Sequence, residues 1–145
     1  LALAYCINTI TKSMGAADFL LGVCESWMTP ALFLSVAFVA GAVISFFTGS
    51  SWGTFAICIP IAVPMAYSFT GGQLGTLVYA AVGAVVSGGL FGDHCSPVSD
   101  TTVLSSLGAA CDHIDHVRTQ LPYALLAAAV SMILWVVVAM VGGAA

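Results

Sequence analysis

Two long runs of uncharged, mostly apolar residues constrain the fold of this chain more than any other feature. They cover residues 30–47 and 122–141, which is 18 and 20 residues. A helix needs about 17–25 largely apolar residues to cross the hydrocarbon core of a bilayer. We therefore expect both runs to form transmembrane helices. The first is expected to begin with Thr29 as its N-cap and Pro30 at its first helical position.

The composition supports a membrane protein and excludes several soluble classes. Hydrophobic residues make up 61% of the 145 positions and charged residues 6%, whereas soluble domains have about 25% charged residues. Disorder and a secreted disulfide scaffold are excluded on this basis. Lys12 and Arg118 are the only basic residues, too few for a phosphate-binding patch, so nucleic acid is not an expected partner. The sequence predicts an all-α, polytopic transmembrane protein.

Two shorter apolar runs lie between the long ones, at residues 55–69 and 77–91. As helices they would reach only about 22 Å, less than the thickness of the hydrocarbon core. Each adjoins a polar stretch with glycine or proline, at residues 48–54 and 92–102. Short spans with such interruptions are typical of discontinuous helices, broken or re-entrant, in secondary transporters. Ordinary loops between short spans are the alternative.

The first 29 residues have a different pattern. Apolar residues follow one another at spacings of three and four from Ile10 to Met28, which predicts an amphipathic connecting or interfacial helix. We interpret residues 1–145 as a single transmembrane domain, with residues 1–29 as the connecting segment and residues 30–141 as transmembrane helices. The chain begins Leu-Ala-Leu without methionine, and we expect it to be a piece of a longer polypeptide.

Small residues recur every fourth position in the run 77–91 and just beyond it, at Ala80, Ala84, Gly88 and Gly92. Small residues at this spacing let two helix backbones approach closely in lipid. We expect this helix to pack tightly against a neighbour and so to hold the polar segment that follows it.

That polar segment contains two acids, Asp93 and Asp100, and several hydroxyl side chains. An ionised aspartate at the centre of a membrane helix costs about 2.5–3.5 kcal/mol even on the lenient insertion scale, so it indicates a functional site. Ser96 and Pro97 predict the N-cap and first residue of a new helix that extends toward Ala110. Asp100 would then lie near its first turn. The helix dipole would favour its carboxylate and burial would disfavour the charge, so the group could exchange a proton for a cation.

Hard alkali cations prefer oxygen ligands from carboxylates, hydroxyls and unwound backbone. The predicted ion-binding residues are therefore the acids and hydroxyls of both polar stretches: Asp93, Asp100, Ser96, Ser99, Thr101, Thr102, Ser50 and Ser51. For the hydroxyls of the first stretch, bonding to carbonyls four residues earlier is the alternative, and for Ser50 and Ser51 the two interpretations are equal. His94 is expected to pair with Asp93 and tune its protonation.

A metal site is the competing interpretation of some of these residues. Thiolate and imidazole ligands suit zinc, and the candidates are His94, Cys95, Cys111, His113 and His116. Their spacing matches no structural zinc pattern, and residues 111–116 lie just before the last span. We therefore favour a solvated loop there, with no bound metal, and keep a membrane metalloprotein as the alternative of a different class.

The polar segments resemble the signature of the NhaC family of Na+/H+ antiporters. The resemblance rests on FGDHCSPVSDTTVLSS at residues 91–106, CDHIDH at 111–116, TQLPY at 119–123 and FTGSSWGT at 47–54. It implies a secondary transporter of the inner (plasma) membrane with inverted repeats, which is not an enzyme and has no cofactor. Members exchange Na+ for H+, and some relatives exchange organic anions such as malate and lactate, which is the alternative function within transport.

The same resemblance implies the partners and the acids of the mechanism. The chain corresponds to the C-terminal portion of a complete member, so its partners are the lipid bilayer, Na+ and H+, and a missing N-terminal repeat or a second chain; a homo-oligomer is compatible with it. Asp100, together with Asp93, is expected to bind either a proton or Na+, and Asp100→Asn is expected to abolish exchange.

Overall fold

A computed structural model of the protein describes residues 28–142 without a gap, together with residues 6, 9, 10, 13–15, 19, 22 and 23. Most of the amphipathic helix predicted for residues 1–29 lies outside the described residues. Five helices follow from residue 28 onward: α1 (Pro30–Thr48), α2 (Ser51–Phe69), α3 (Thr76–Cys95), α4 (Asp100–Gly108) and α5 (His113–Gly142). The part of the chain that the structure describes contains no strand, which confirms the all-α class. Four helices, all except α4, are long and apolar enough to cross a membrane.

Helix α1 matches its prediction closely. Thr29 is its N-cap, and the Thr29 hydroxyl accepts a hydrogen bond of 3.3 Å from the backbone N–H of Leu32. The helix ends at Gly49, which has a left-handed backbone with φ +65° and donates its N–H to the carbonyl of Ser45. Glycine adopts this conformation without the strain that a Cβ would add.

Helices α2 and α3 are longer than predicted, at 19 and 20 residues. Residues 51–54 form the first turn of α2 and residues 92–95 the last turn of α3, because polar residues at the end of a helix can keep the helical backbone. The expectation of spans too short to cross was therefore wrong. The interruptions lie instead in two links, residues 49–50 and residues 96–99. Helix α4 has nine residues, too few to cross a bilayer.

Helices α1 and α3 lie in close contact, which depends on small residues. A Cβ added to Gly88 would overlap the carbonyl oxygen of Phe38, and one added to Gly92 would overlap that of Ala42. A Cβ on Gly41 of α1 would lie 3.0 Å from the carbonyl oxygen of Val85. The close packing predicted from the small-residue pattern is thus confirmed.

The structure corrects the start of α4. Its N-cap is Ser99, whose hydroxyl accepts a 3.2 Å bond from the N–H of Thr101, and Asp100 is the first helical residue. The prediction that Ser96 caps this helix was wrong. The Ser96 hydroxyl does accept a 3.2 Å bond from the N–H of Val98, but the N–H of Ser99 bonds the carbonyl of Ser96 and closes a turn, so the helix does not begin there. The same hydroxyl donates to the carbonyl of Phe46 in α1 at 2.6 Å.

Helix α5 begins well before the apolar run that predicted it. The carboxylate of Asp112 accepts bonds from the N–H groups of Ile114 and Asp115, at 2.9 and 3.2 Å, which is the geometry of an N-cap. The solvated loop predicted up to the last span was therefore wrong, since helix begins at His113. Trp135 of α5 packs on the core and donates its indole N–H to Ser87 of α3 at 2.9 Å.

Candidate ion site

The two links between helices meet in space. A Cβ on Gly49, in the α1–α2 link, would lie 2.8 Å from the carbonyl oxygen of Val98, in the α3–α4 link. The bond from Ser96 to Phe46 joins the α3–α4 link to the last turn of α1. The contact brings the C-terminal ends of α1 and α3 near the N-terminal ends of α2 and α4. Helix C-termini attract cations and N-termini stabilise anions.

Asp93 lies at this junction and is the buried acid among the described residues, with 8% of its surface exposed. It belongs to the last turn of α3. One carboxylate oxygen, Oδ2, accepts a bond of 2.9 Å from the hydroxyl of Ser51, the first residue of α2. The other, Oδ1, accepts a bond of 2.6 Å from the hydroxyl of Ser99, the N-cap of α4. The carboxylate is thus held by one hydroxyl from the start of α2 and one from the α3–α4 link.

A hydrogen-bonded path connects Asp93 with a cavity. The Ser99 hydroxyl has one hydrogen and donates it to Asp93, so the Thr101 hydroxyl, 2.7 Å away, donates to Ser99. Asp93 and Thr101 both line a cavity of about 400 Å³ between α3, α4 and α5. His94 and Ser131 supply the other polar side chains of its wall. An ion in this cavity would have access to Asp93 and to several hydroxyl oxygens.

Asp100 occupies a different environment from the one expected. It is exposed, at the first position of α4, and its side chain has no hydrogen bond with the Asp93 cluster in the described structure. The prediction that Asp100 is buried was therefore wrong. The N-terminus of α4 still lies beside it, as the sequence predicted.

The other predicted hydroxyls hold the links in place. Ser50 is the N-cap of α2 and accepts a 3.3 Å bond from the N–H of Gly53. Thr102 donates to the carbonyl of His94 at 3.1 Å, and Ser96 is bonded to α1 as described above. Thr54 bonds the carbonyl of Ser50, four residues earlier, at 2.9 Å, as the alternative interpretation of that stretch expected.

His94 is exposed and contributes to the cavity wall. Its carbonyl accepts bonds from Thr102 and from the side-chain amide of Gln120, the latter at 2.9 Å. In the described residues its ring makes no hydrogen bond with Asp93, and the pairing of these two groups stays a prediction.

The competing metal-ligand set does not come together in the described part of the chain. No three His, Cys, Asp or Glu side chains there lie close enough to hold a metal ion. His113 is engaged elsewhere: its Nε2 lies 2.7 Å from the carbonyl oxygen of Pro97, and its Nδ1 lies 3.1 Å from the hydroxyl of Ser106. The geometry of these residues gives the metalloprotein alternative no support.

Sequence reasoning missed several polar groups near the site. Ser131 of α5 lines the cavity. In the sequence it is a single serine within a long apolar run, and nothing near it in the chain indicated a site. Ser45 is fully buried beside Gly92, and its hydroxyl has no hydrogen-bond partner in the described structure. The side-chain oxygen of Gln120 is also buried without a described partner.

Comparison with known protein families identifies the family of this chain. The sequence profile described as the Na+/H+ antiporter family matches residues 1–140. The chain belongs to this family. It is accordingly a multi-pass membrane protein, as the resemblance of its polar segments implied.

Three relatives show the extent of the similarity. An uncharacterized protein of Haemophilus influenzae is 48% identical over 136 residues, which is 93% of this chain and 25% of the relative. The malate-2H(+)/Na(+)-lactate antiporter of Bacillus subtilis is 35% identical over 114 residues, covering 79% of this chain and 23% of that protein. The Na(+)/H(+) antiporter NhaC of Alkalihalophilus pseudofirmus is 33% identical over 118 residues, with coverages of 81% and 24%.

The chain thus spans about a quarter of the length of these relatives. No solved structure matches it.

Proposed function

We propose that this chain forms the ion-binding part of a Na+/H+ antiporter of the plasma membrane, in which Asp93 binds either a proton or Na+. The observation that supports the proposal is the position of the Asp93 carboxylate, buried at the junction of two helix links with a hydroxyl bonded to each oxygen. In this proposal Asp93 takes the leading role that the sequence alone gave to Asp100.

The chemistry of exchange follows from the cost of an unpaired buried charge. A carboxylate without a counter-charge is expensive in a membrane interior, and the partners of Asp93 in the described structure are hydroxyls rather than a basic side chain. It therefore needs a proton or a cation. When Na+ replaces the proton, Ser51 turns an oxygen lone pair toward the ion, and Ser99 frees one by releasing the Thr101 hydroxyl. The C-terminal end of α3 adds a favourable dipole.

Because one carboxylate serves both ions, their binding is mutually exclusive, and this couples the two gradients. Transport also requires that the site face each side of the membrane in turn. We assign that movement to rocking of this helix group against the rest of the transporter, since the chain covers only about a quarter of its relatives' length. Asp100, exposed near the cavity residue Thr101, is positioned to attract cations toward the site.

Replacing Asp93 with asparagine tests the proposal. The amide has nearly the same shape but cannot carry the charge or exchange a proton, so Na+-dependent proton movement should vanish in everted vesicles made with the complete polypeptide that contains this chain. Asp115→Asn is the matched control, since Asp115 is exposed near the start of α5. Exchange that survives in the Asp93 variant at the level of the control contradicts the proposal.

A second candidate function has one observation in its favour. The cavity beside Asp93 measures about 400 Å³, within the range of about 300–1,000 Å³ for small-molecule pockets and far larger than a bare Na+ needs. A cation-coupled exchanger of small organic anions would use that space, and one relative is named as a malate-2H(+)/Na(+)-lactate antiporter. Uptake of labelled malate or lactate, stimulated by the opposite anion or by Na+, distinguishes this candidate from pure cation exchange.

A further inference from the structure

We propose that His113 is a positioning residue of the ion site, which holds the α3–α4 link so that the Ser99 hydroxyl reaches Asp93. The inference rests on the proposed function, because it assigns His113 a role in Na+ binding at Asp93. It also gives a role to a histidine for which the sequence suggested only a metal ligand or a solvated loop.

The ring of His113 joins two parts of the chain that lie on either side of Ser99. Its Nε2 lies 2.7 Å from the carbonyl oxygen of Pro97, two residues before Ser99, and its Nδ1 lies 3.1 Å from the hydroxyl of Ser106 in the last turns of α4. Ser106 is itself 2% exposed. A single rigid ring in α5 therefore fixes the link and α4 relative to each other.

The opposite side of the link is fixed to α1. The Ser96 hydroxyl donates to the carbonyl of Phe46, and the carbonyl of Val98 packs on Gly49. With His113 on the α5 side, residues 96–99 are held from two directions. Ser99 is the last residue of this segment, and its hydroxyl lies 2.6 Å from a carboxylate oxygen of Asp93. The length of that bond depends on the position in which the link is held.

The hydrogen positions follow from the partners. The Pro97 carbonyl can only accept, so Nε2 of His113 carries a hydrogen and donates it. The Ser106 hydroxyl can either donate to Nδ1 or accept from it, and it also lies 2.8 Å from the carbonyl oxygen of Val103. The Ser106 hydroxyl has a single hydrogen, so it bonds a neutral ring by donating to Nδ1 in place of the Val103 carbonyl, and a charged ring by accepting from Nδ1 while it donates to Val103. The bond from Nε2 to the Pro97 carbonyl, which holds the link, is the same in both states.

The test measures Na+-dependent proton movement in vesicles with the complete polypeptide. Two quantities are determined for each variant: the Na+ concentration at half-maximal rate, and the maximal rate. Loss of both ring contacts in His113→Ala should raise the half-maximal Na+ concentration about tenfold, from two hydrogen bonds of modest net worth, with the maximal rate within about twofold. His113→Gln retains a donor for Pro97 and should restore part of the affinity, and Ser106→Ala should produce a smaller rise than His113→Ala.

His116→Ala is the matched control, because His116 is the next histidine on α5 and its ring has no hydrogen bond in the described structure. A half-maximal Na+ concentration that is the same in the His113 variants and in the control overturns the inference, as does a fall in maximal rate alone. If His113→Ala does not accumulate in the membrane, His113→Gln and Ser106→Ala decide the result by the same criterion. Asp93→Asn in the same assay separates the two proposals, since exchange that persists there contradicts the ion site itself and not only the role of His113.

Discussion

Replacing Ser51 with alanine removes one of the two hydroxyls on Asp93 and leaves the rest of the site intact. Ser51 suits this test better than Ser99, because Ser99 also caps α4. The hydroxyl of Ser51 bonds Asp93 at 2.9 Å and caps no helix in the described structure. Its side chain is 6% exposed, so water cannot readily replace the lost group.

The size of the effect follows from the difference between the two occupied states. A hydrogen bond to the neutral, protonated acid contributes about 0.5–1.5 kcal/mol, and an interaction with a charged group about 1.5–3 kcal/mol. The variant should therefore disfavour the Na+-bound state by about 1–1.5 kcal/mol relative to the protonated state, which is about a five- to tenfold rise in the Na+ concentration at half-maximal exchange.

Fluorescence of a pH probe in everted vesicles, followed during a titration with Na+, measures this concentration. Ser35→Ala is the control, since the hydroxyl of Ser35 bonds the carbonyl of Ala31 within its own helix at 2.9 Å. If both alanine variants have the same half-maximal Na+ concentration, Ser51 is not a ligand and the reasoning from the junction geometry is refuted.

Two further variants test the packing and the choice of acid. Gly88→Ala should lower the melting temperature of the purified protein, because its Cβ would overlap the carbonyl of Phe38 and overpacking costs about 1–3 kcal/mol. Gly108→Ala is the control, since nothing lies within 4 Å of a Cβ there, and it should leave the melting temperature unchanged. Equal melting temperatures of the two variants would contradict the close helix contact. Asp100→Asn should change the exchange rate by no more than about twofold, because an exposed charge that attracts cations toward the site is screened by salt and does not itself bind the ion. Loss of exchange in that variant would restore Asp100 to the leading role over Asp93.

The sequence predicted those features that depend on neighbours along the chain. Helix α1 could be located from its uncharged run and from the Thr29–Pro30 start, since both are local signals. The small residues at Gly88 and Gly92 predicted a close helix contact for the same reason, because a period of four places them on one face. That Asp93 lies in an ion site stays a prediction, which the sequence makes because an acid between membrane helices is costly wherever its partners come from.

The remaining features depend on contacts between distant positions. Our preference for Asp93 over Asp100 in the proposed function rests on the bond from Ser51, 42 residues away in the chain. The bond that the Ser96 hydroxyl donates to the carbonyl of Phe46, 50 residues earlier, likewise has no signal in the neighbouring sequence. The helical start of α5 before residue 122 had a local cause in Asp112, but the polar composition of that stretch is equally typical of a loop.

Proton release on Na+ binding is the most direct measurement of the central claim, that one carboxylate binds either ion. Na+ is added to the purified complete polypeptide in weakly buffered detergent solution, and the change in pH is recorded. The account predicts that the protein releases protons as it binds Na+ and that Asp93→Asn releases none, while Asp115→Asn behaves as the unmodified protein. Release from the Asp93 variant equal to that of the unmodified protein would contradict the account.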